Sequence, residues 1–343
     1  MAKILVIRFS AIGDIAMTIP VIQSFVTQYP EHEIVFLSRP TLEPVFRLLP
    51  GNVTFYAAEL NGKHKGITGL FRLFRELRKL KIDYVADLHD VMRSQLLRIW
   101  FKLSGVATAK IDKGRSGKRK LVRRKNKVFV NQKSSFRRYT EVFEKLGFPL
   151  ILNFNSIYGE GKGDLSAIEN ITGKKQDKLW LGIAPFAKHK GKIYPLELQE
   201  QVVAHFSNDP RVQVFLFGGG KHEEMVFNKW MKSYPTLISV AGKLNMDQEL
   251  NLMSHLDVML SMDSANMHLA SLVNTPVVSV WGATHPYAGF LGWMQLPTNC
   301  VQTELSCRPC SVFGDKPCYR HDYACMNLIT PQDIIQKIES LLN

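Results

Sequence analysis

ILVIRFSAIGDIAMTIP, residues Ile4–Pro20, decides the fold. Ile4–Phe9 is a short β-branched run of the kind that a parallel sheet buries on both faces. Arg8-Phe9-Ser10-Ala11-Ile12-Gly13-Asp14 then turns out of that strand, and Ile15–Thr27 has the apolar spacing of the helix that follows. The pattern repeats outward, with a strand expected at Glu33–Leu37, a helix at Leu70–Leu80 and a strand at Tyr84–Leu88. Strands and helices alternating at this spacing imply right-handed crossovers and a doubly wound parallel sheet.

Asn153–Asp177, rich in Gly, Asn, Ser and Lys, reads as a linker, and the rhythm then restarts. Strands are expected at Leu179–Ala184, Val212–Phe217, Val258–Ser261 and Val277–Trp281. Helices are expected at Leu196–Phe206, Glu223–Met231 and Met267–Val273. A last helix, Pro331–Leu342, opens with Thr330 as N-cap and Pro331 in the first turn. The expected organisation is a Rossmann-like domain at 1–160, a second at 178–330 and a C-terminal helix at 331–343. Ligands of such sheets bind at the carboxyl ends of the strands, so two facing sheets make a cleft.

The length of 343 residues fits two domains, and 45% apolar with 22% charged residues excludes a disordered chain. The start is too short and too soon polar for a signal peptide, and no run of eighteen apolar residues follows, so a cytoplasmic protein is expected. Charge is uneven: 44 Lys and Arg oppose 30 Asp and Glu, and Lys113–Lys127 holds nine basic residues in fifteen positions without an acid. Such a block is either a solvated loop or the seat of a polyanion.

Three constellations follow strand ends. Gly13 permits close backbone approach and Asp14 sits near a helix N-terminus, where its carboxylate is either a cap or a general base. Asp263-Ser264-Ala265-Asn266-Met267-His268 follows a strand and opens a helix, whose first N–H groups suit a diphosphate; plain capping and a satisfied helix histidine are the alternatives. Lys188, His189, Lys190 and Lys192 form a basic loop before Tyr194-Pro195, and lysine is a compact point charge for phosphate. Gly282-Ala283-Thr284 repeats the logic with backbone and hydroxyl donors.

In this order the segments resemble glycosyltransferase family 9, the heptosyltransferases of lipopolysaccharide core assembly. The resemblance rests on Arg8–Asp14 with Pro20, Asp87–Ser94, Gly182–Pro195, Gly242–Leu250, Asp263–Ala270, Gly282–Pro286 and the Cys325-Met326 end of the cysteine loop. It implies a GT-B fold, an inverting mechanism, ADP-heptose as donor, a lipid A-Kdo inner-core acceptor, and neither cofactor nor catalytic metal. By the same resemblance Asp14 deprotonates the acceptor hydroxyl and Lys192 stabilises the diphosphate. Asp263, Ser264, Ala265, Asn266, Met267, His268, Gly282 and Thr284 hold the nucleotide sugar. Ser10, Gly13, Arg93, Arg115, Arg119 and Lys120 are the expected acceptor contacts. A monomer working peripherally on the inner face of the cytoplasmic membrane is implied, with no nucleic-acid partner. The chain departs from the family pattern at Ala265, usually glycine, and at Ala283, usually proline. A methyl group at 265 is harmless at negative φ and costly at positive φ.

Cys300, Cys307, Cys310, Cys318 and Cys325 all fall near the C-terminus. Packed thiols, a zinc knuckle using Cys307-x2-Cys310 with His321 nearby, and disulfides are all compatible with the spacing. The rival functions are a GT-B transferase of another nucleotide sugar, a nucleic-acid binder built on Lys113–Lys127, and a dinucleotide oxidoreductase. The second lacks interleaved aromatics for base stacking, and the third lacks GxGxxG after the first strand.

Overall fold

A computed structural model describes residues 1–342, with the side chain of Leu42 set aside. The first part of the chain forms β1 (Lys3–Ile7), α1 (Ile12–Ala16), α2 (Ile19–Gln28), β2 (Glu33–Ser38), β3 (Val53–Ala57), α3 (Gly66–Arg78), β4 (Tyr84–Asp87), α4 (Met92–Leu103), β5 (Ala107–Lys110), α5 (Arg115–Leu121) and α6 (Ser135–Glu144). There follow α7 (Glu169–Thr172), β6 (Leu179–Ala184), α8 (Leu196–Ser207), β7 (Val212–Leu216), α9 (Lys221–Ser233), β8 (Ile238–Ser239), α10 (Met246–Met253), β9 (Val258–Met262), α11 (Ala265–Leu272), β10 (Val277–Trp281), β11 (Cys300–Gln302), α12 (Ala324–Asn327) and α13 (Pro331–Leu342). Two compact units result. Met1–Lys113 with Lys133–Ile157 makes the first, and Gly114–Gln132 with Tyr158–Asn343 the second, Asn343 lying outside the described residues.

Each unit is built on one parallel sheet. In the first the strand order is β3-β2-β1-β4-β5, with Ile4–Ile7 fully buried at its centre. The order reverses between β1 and β4, so the loops leaving these two strands diverge and leave a crevice at their carboxyl ends. In the second unit the order is β11-β10-β9-β6-β7-β8, and the reversal falls between β6 and β9. Fully buried Trp180, Tyr194 and Trp230 help fill its core, where the Tyr194 hydroxyl donates to the Ile329 carbonyl at 2.8 Å.

The helix expected over Ile15–Thr27 is two helices. Pro20 has no N–H to donate to residue 16, and its ring would strike that carbonyl, so the chain breaks at Met17-Thr18 and restarts with Pro20 in the first turn of α2. The linker expected over Asn153–Asp177 includes α7 and is fastened to α10: the Tyr158 hydroxyl donates to Asn251 Oδ1 at 2.5 Å, and the Gly163 amide to Ser254 Oγ at 2.9 Å. At the start of α13 the Asp333 amide donates to Thr330 Oγ1 at 3.2 Å, and the Thr330 amide returns to Asp333 at 2.8 Å, a reciprocal cap.

Candidate functional site

The first unit places Asp14 in the first turn of α1, directly after the central strand. The buried Arg8 guanidinium lies 2.8 Å from Asp14 Oδ2, which also accepts the Ala11 amide at 3.1 Å. Arg8 in turn donates to the Leu88 carbonyl at 2.5 Å and lies over the Tyr139 ring at 5.6 Å. The cation is thus the sunken partner, 9% exposed against 34% for the carboxylate. The guanidinium and the Ala11 amide together fix the orientation of the Asp14 carboxylate.

At the switch point of this sheet a pocket of about 400 Å³ is lined by Phe9, Ser10, Arg39, His89, Val91, Met92 and Arg93. His89 Nδ1 accepts the Phe9 amide at 3.2 Å, which assigns the imidazole proton to Nε2. Burial, with Arg8 and Lys113 nearby, pushes its pKa down to about 3, so the ring is neutral at physiological pH. The turn that carries it is shaped by Asp87, whose Oδ1 accepts the amides of His89 and Asp90 at 3.0 and 2.8 Å. Two guanidinium-bearing side chains and one neutral imidazole make this pocket suited to an anionic or hydroxyl-rich ligand.

In the second unit the loops after β6 and β9 meet at the other switch point. Lys192 Nζ lies 2.9 Å from Asp263 Oδ2, and the Thr284 hydroxyl donates to the same oxygen at 2.7 Å. Here the carboxylate is the sunken partner, 5% exposed against 16% for the lysine. Ser264 is the N-cap of α11 in extended conformation, but its side chain accepts none of the helix amides and lies instead 3.2 Å from Ser261 Oγ. The first N–H groups of α11 are therefore left without a side-chain cap, next to a lysine, the combination that binds phosphate. Ala265 is the first residue of this right-handed helix, so its methyl group carries no positive-φ penalty. Met267 and His268 are buried, and the Met267 carbonyl accepts the Ser271 hydroxyl at 2.7 Å.

The Gly282–Thr284 loop is fixed from behind. Buried Arg308 donates to the carbonyls of Gly282 at 2.5 Å and Thr284 at 3.1 Å. The Ala283 amide donates to the Gly191 carbonyl at 2.9 Å, tying this loop to the Lys192 loop. A Cβ at Gly282 would lie 2.5 Å from Met326 Cε and 2.8 Å from the Gly191 carbonyl, so only glycine lets the two loops approach.

The structure groups the sequence-expected residues unevenly. Lys192, Asp263, Ser264 and Thr284 converge, and Ser10 and Arg93 share a pocket, with Gly13 buried in the adjoining α1. Arg115, Arg119 and Lys120 lie on α5, which belongs to the second unit rather than with Ser10, Gly13 and Arg93. Arg8, Arg39, His89 and Arg308 were not assigned roles from sequence; Arg8 and His89 lay within the segments Arg8–Asp14 and Asp87–Ser94 that carry the resemblance, whereas Arg39 and Arg308 carried no signal. All five cysteines are free thiols, and among the described residues no group of three His, Cys, Asp or Glu side chains is arranged to hold a metal. Burial raises the Cys325 thiol to about 11 and also pushes Cys310 up, so both are neutral packing groups. Among the described residues no helix is long and apolar enough to cross a membrane.

Two doubly wound parallel-sheet units, each with polar groups gathered at its switch point, are the two halves of a GT-B fold. The chain belongs to glycosyltransferase family 9 (heptosyltransferase), whose model matches residues 70–317. It is 25% identical over 292 residues to a lipopolysaccharide core heptosyltransferase of Haemophilus influenzae, covering 82% of this chain and 79% of that one. It is 26% identical to lipopolysaccharide heptosyltransferase 1 of Campylobacter coli, covering 83% and 85%. Similar solved structures include a family 9 glycosyl transferase from Veillonella parvula (TM-score 0.74, 18% identity, 99% and 97% covered). Another is the ADP-heptose heptosyltransferase II of E. coli (TM-score 0.71, 19% identity, 99% and 98% covered).

Proposed function

We propose that this glycosyltransferase moves a heptose from ADP-heptose to the inner core of lipopolysaccharide, on a lipid A-Kdo acceptor at the inner face of the cytoplasmic membrane. Family membership and the names of the relatives support the donor and the acceptor class. The observation that carries the reading is the Lys192–Asp263 pair beside the start of α11, a cation and uncapped helix amides in a combination suited to a leaving diphosphate.

In the proposed reaction Asp14 takes the proton of the acceptor hydroxyl. The acceptor oxygen then forms its bond to the anomeric carbon from the face opposite ADP, and the bond to the diphosphate oxygen breaks with its electron pair leaving on ADP. Configuration inverts. Lys192 and the α11 amides receive the developing charge, while Ser264, Asn266 and Gly282 hold the nucleotide sugar through hydroxyl, amide and backbone donors and Thr284 steadies Asp263 behind them. Ser10, Arg39, His89 and Arg93 receive the anionic acceptor.

Incubation with ADP-heptose and a Kdo-bearing acceptor, followed by mass spectrometry, tests the reading. Addition of one heptose supports it. Transfer only from a UDP- or GDP-sugar replaces the donor and keeps the fold, and hydrolysis without transfer overturns the acceptor assignment.

A further inference from the structure

We propose that residues 115–130 form a docking surface for an anionic bilayer, mounted on the second unit. The proposal rests on the functional reading above only in taking the acceptor to be lipid-anchored.

A segment with eight cations would ordinarily be a loose solvated loop, but here it is bolted down. The Lys118 ammonium sits 3.9 Å from the centre of the Phe290 ring, and Lys127 Nζ donates to the carbonyls of Ser306, Arg308 and Pro309 at 3.2, 2.5 and 3.1 Å. The Gln132 amide donates to the Tyr287 carbonyl at 2.9 Å. Lys118, Lys127 and Gln132 thus tie the segment to the rest of the second unit near its start and at its end.

What the surface presents is mixed in character. Arg115, Arg119, Lys120, Arg123 and Lys125 are exposed, and among the described residues none forms an ion pair with a carboxylate. Immediately after them come Val128, Phe129 and Val130, 43%, 51% and 56% exposed. Cations alone would fit any polyanion. Three consecutive exposed apolar residues gain nothing from a nucleic acid, and Phe129, the one aromatic among them, has its ring set against His285 and Tyr287, both at 4.8 Å, rather than presented for stacking. A lipid interface accepts both parts: basic side chains meet anionic headgroups while Val128 and Val130 enter the acyl boundary. Phe313, 57% exposed, stacks at 5.7 Å on the same Phe290 ring that holds Lys118.

Flotation of the full chain with phosphatidylcholine vesicles, with and without phosphatidylglycerol, tests this. Binding to anionic vesicles that weakens with salt is expected, with at least a tenfold loss in Arg123→Glu/Lys125→Glu and a smaller loss in Val128→Asn/Val130→Asn. Both variants should transfer heptose to a deacylated, water-soluble acceptor as well as the parent does. Absence of vesicle binding, equal binding to neutral vesicles, or unchanged binding by the charge-reversed variant overturns the proposal. So does parallel loss of transfer to the soluble acceptor, which would assign these cations to the acceptor instead. Failure of the parent to transfer heptose at all, with vesicle binding intact, would count against the functional reading and leave the docking surface standing.

Discussion

The two units use one device with opposite polarity. In the first, a buried arginine anchors a carboxylate that faces outward; in the second, a buried aspartate anchors a lysine that is the more exposed partner. Each pair follows the strand at which its sheet reverses order, so the backbone delivers both to a crevice, and only the choice of which ion is sunken differs. An ion pair with one buried end is a poor source of stability but a good way to orient its outer end. The outer anion suits proton abstraction, and the outer cation suits a leaving diphosphate.

Removing the outer anion should have the largest effect. Asp14→Asn is expected to lower transfer by about 10²- to 10⁴-fold, the range of general-base contributions. Steady-state kinetics check this; a loss below tenfold would reduce Asp14 to a cap and partner for Arg8.

Lys192→Ala should act on two levels, because it removes the diphosphate cation and also leaves Asp263 buried without its counterion. A stability loss of about 3 kcal/mol is expected from the orphaned charge, and Lys192→Ala/Asp263→Asn should recover most of it in thermal melts without restoring ADP affinity. Recovery of both would mean that lysine serves the fold alone.

Acid should weaken both halves alike. His89, pushed to about 3, and His285, pushed to about 4 by burial with Arg308 and Lys127 nearby, are neutral when folded but titrate near 6.5 when unfolded. The unfolded chain binds the extra protons, so stability is full above pH 6.5 and falls as pH drops toward 4. Each histidine should contribute about 2 kcal/mol of loss between pH 7 and 5. Melting curves of His89→Gln and His285→Gln should each show a shallower pH slope than the parent; an unchanged slope would refute the neutral-histidine assignment. Thr284→Val, which deletes one hydrogen bond to Asp263, should cost about 1 kcal/mol and touch ADP affinity only slightly. A fall in affinity as large as that of Lys192→Ala would make the hydroxyl a direct nucleotide ligand.

Much of the frame was legible because it is local. The apolar runs Leu179–Ala184 and Val277–Trp281 became β6 and β10 at those residues, and Thr330 caps α13 through a contact three residues away. The short strands β3 and β5, half exposed and without a clean alternation, were not legible. Of the candidate site, residues beside strand ends could be nominated, but their partners could not. His89 meets the Phe9 amide from eighty residues away, and Arg308 reaches back twenty-six to hold Gly282. The nine cations of Lys113–Lys127 look alike in sequence. Only packing separates Lys113, Lys118, Arg124 and Lys127, tied to rings and carbonyls, from those that face outward.

The most direct measurement sets ADP affinity, by calorimetry, beside heptose transfer in Asp14→Asn and Lys192→Ala. The account predicts that Asp14→Asn binds ADP like the parent yet transfers about 10²- to 10⁴-fold more slowly, while Lys192→Ala loses affinity and transfer together. Loss of ADP binding in Asp14→Asn, or full affinity in Lys192→Ala, would contradict the division of labour between the two units.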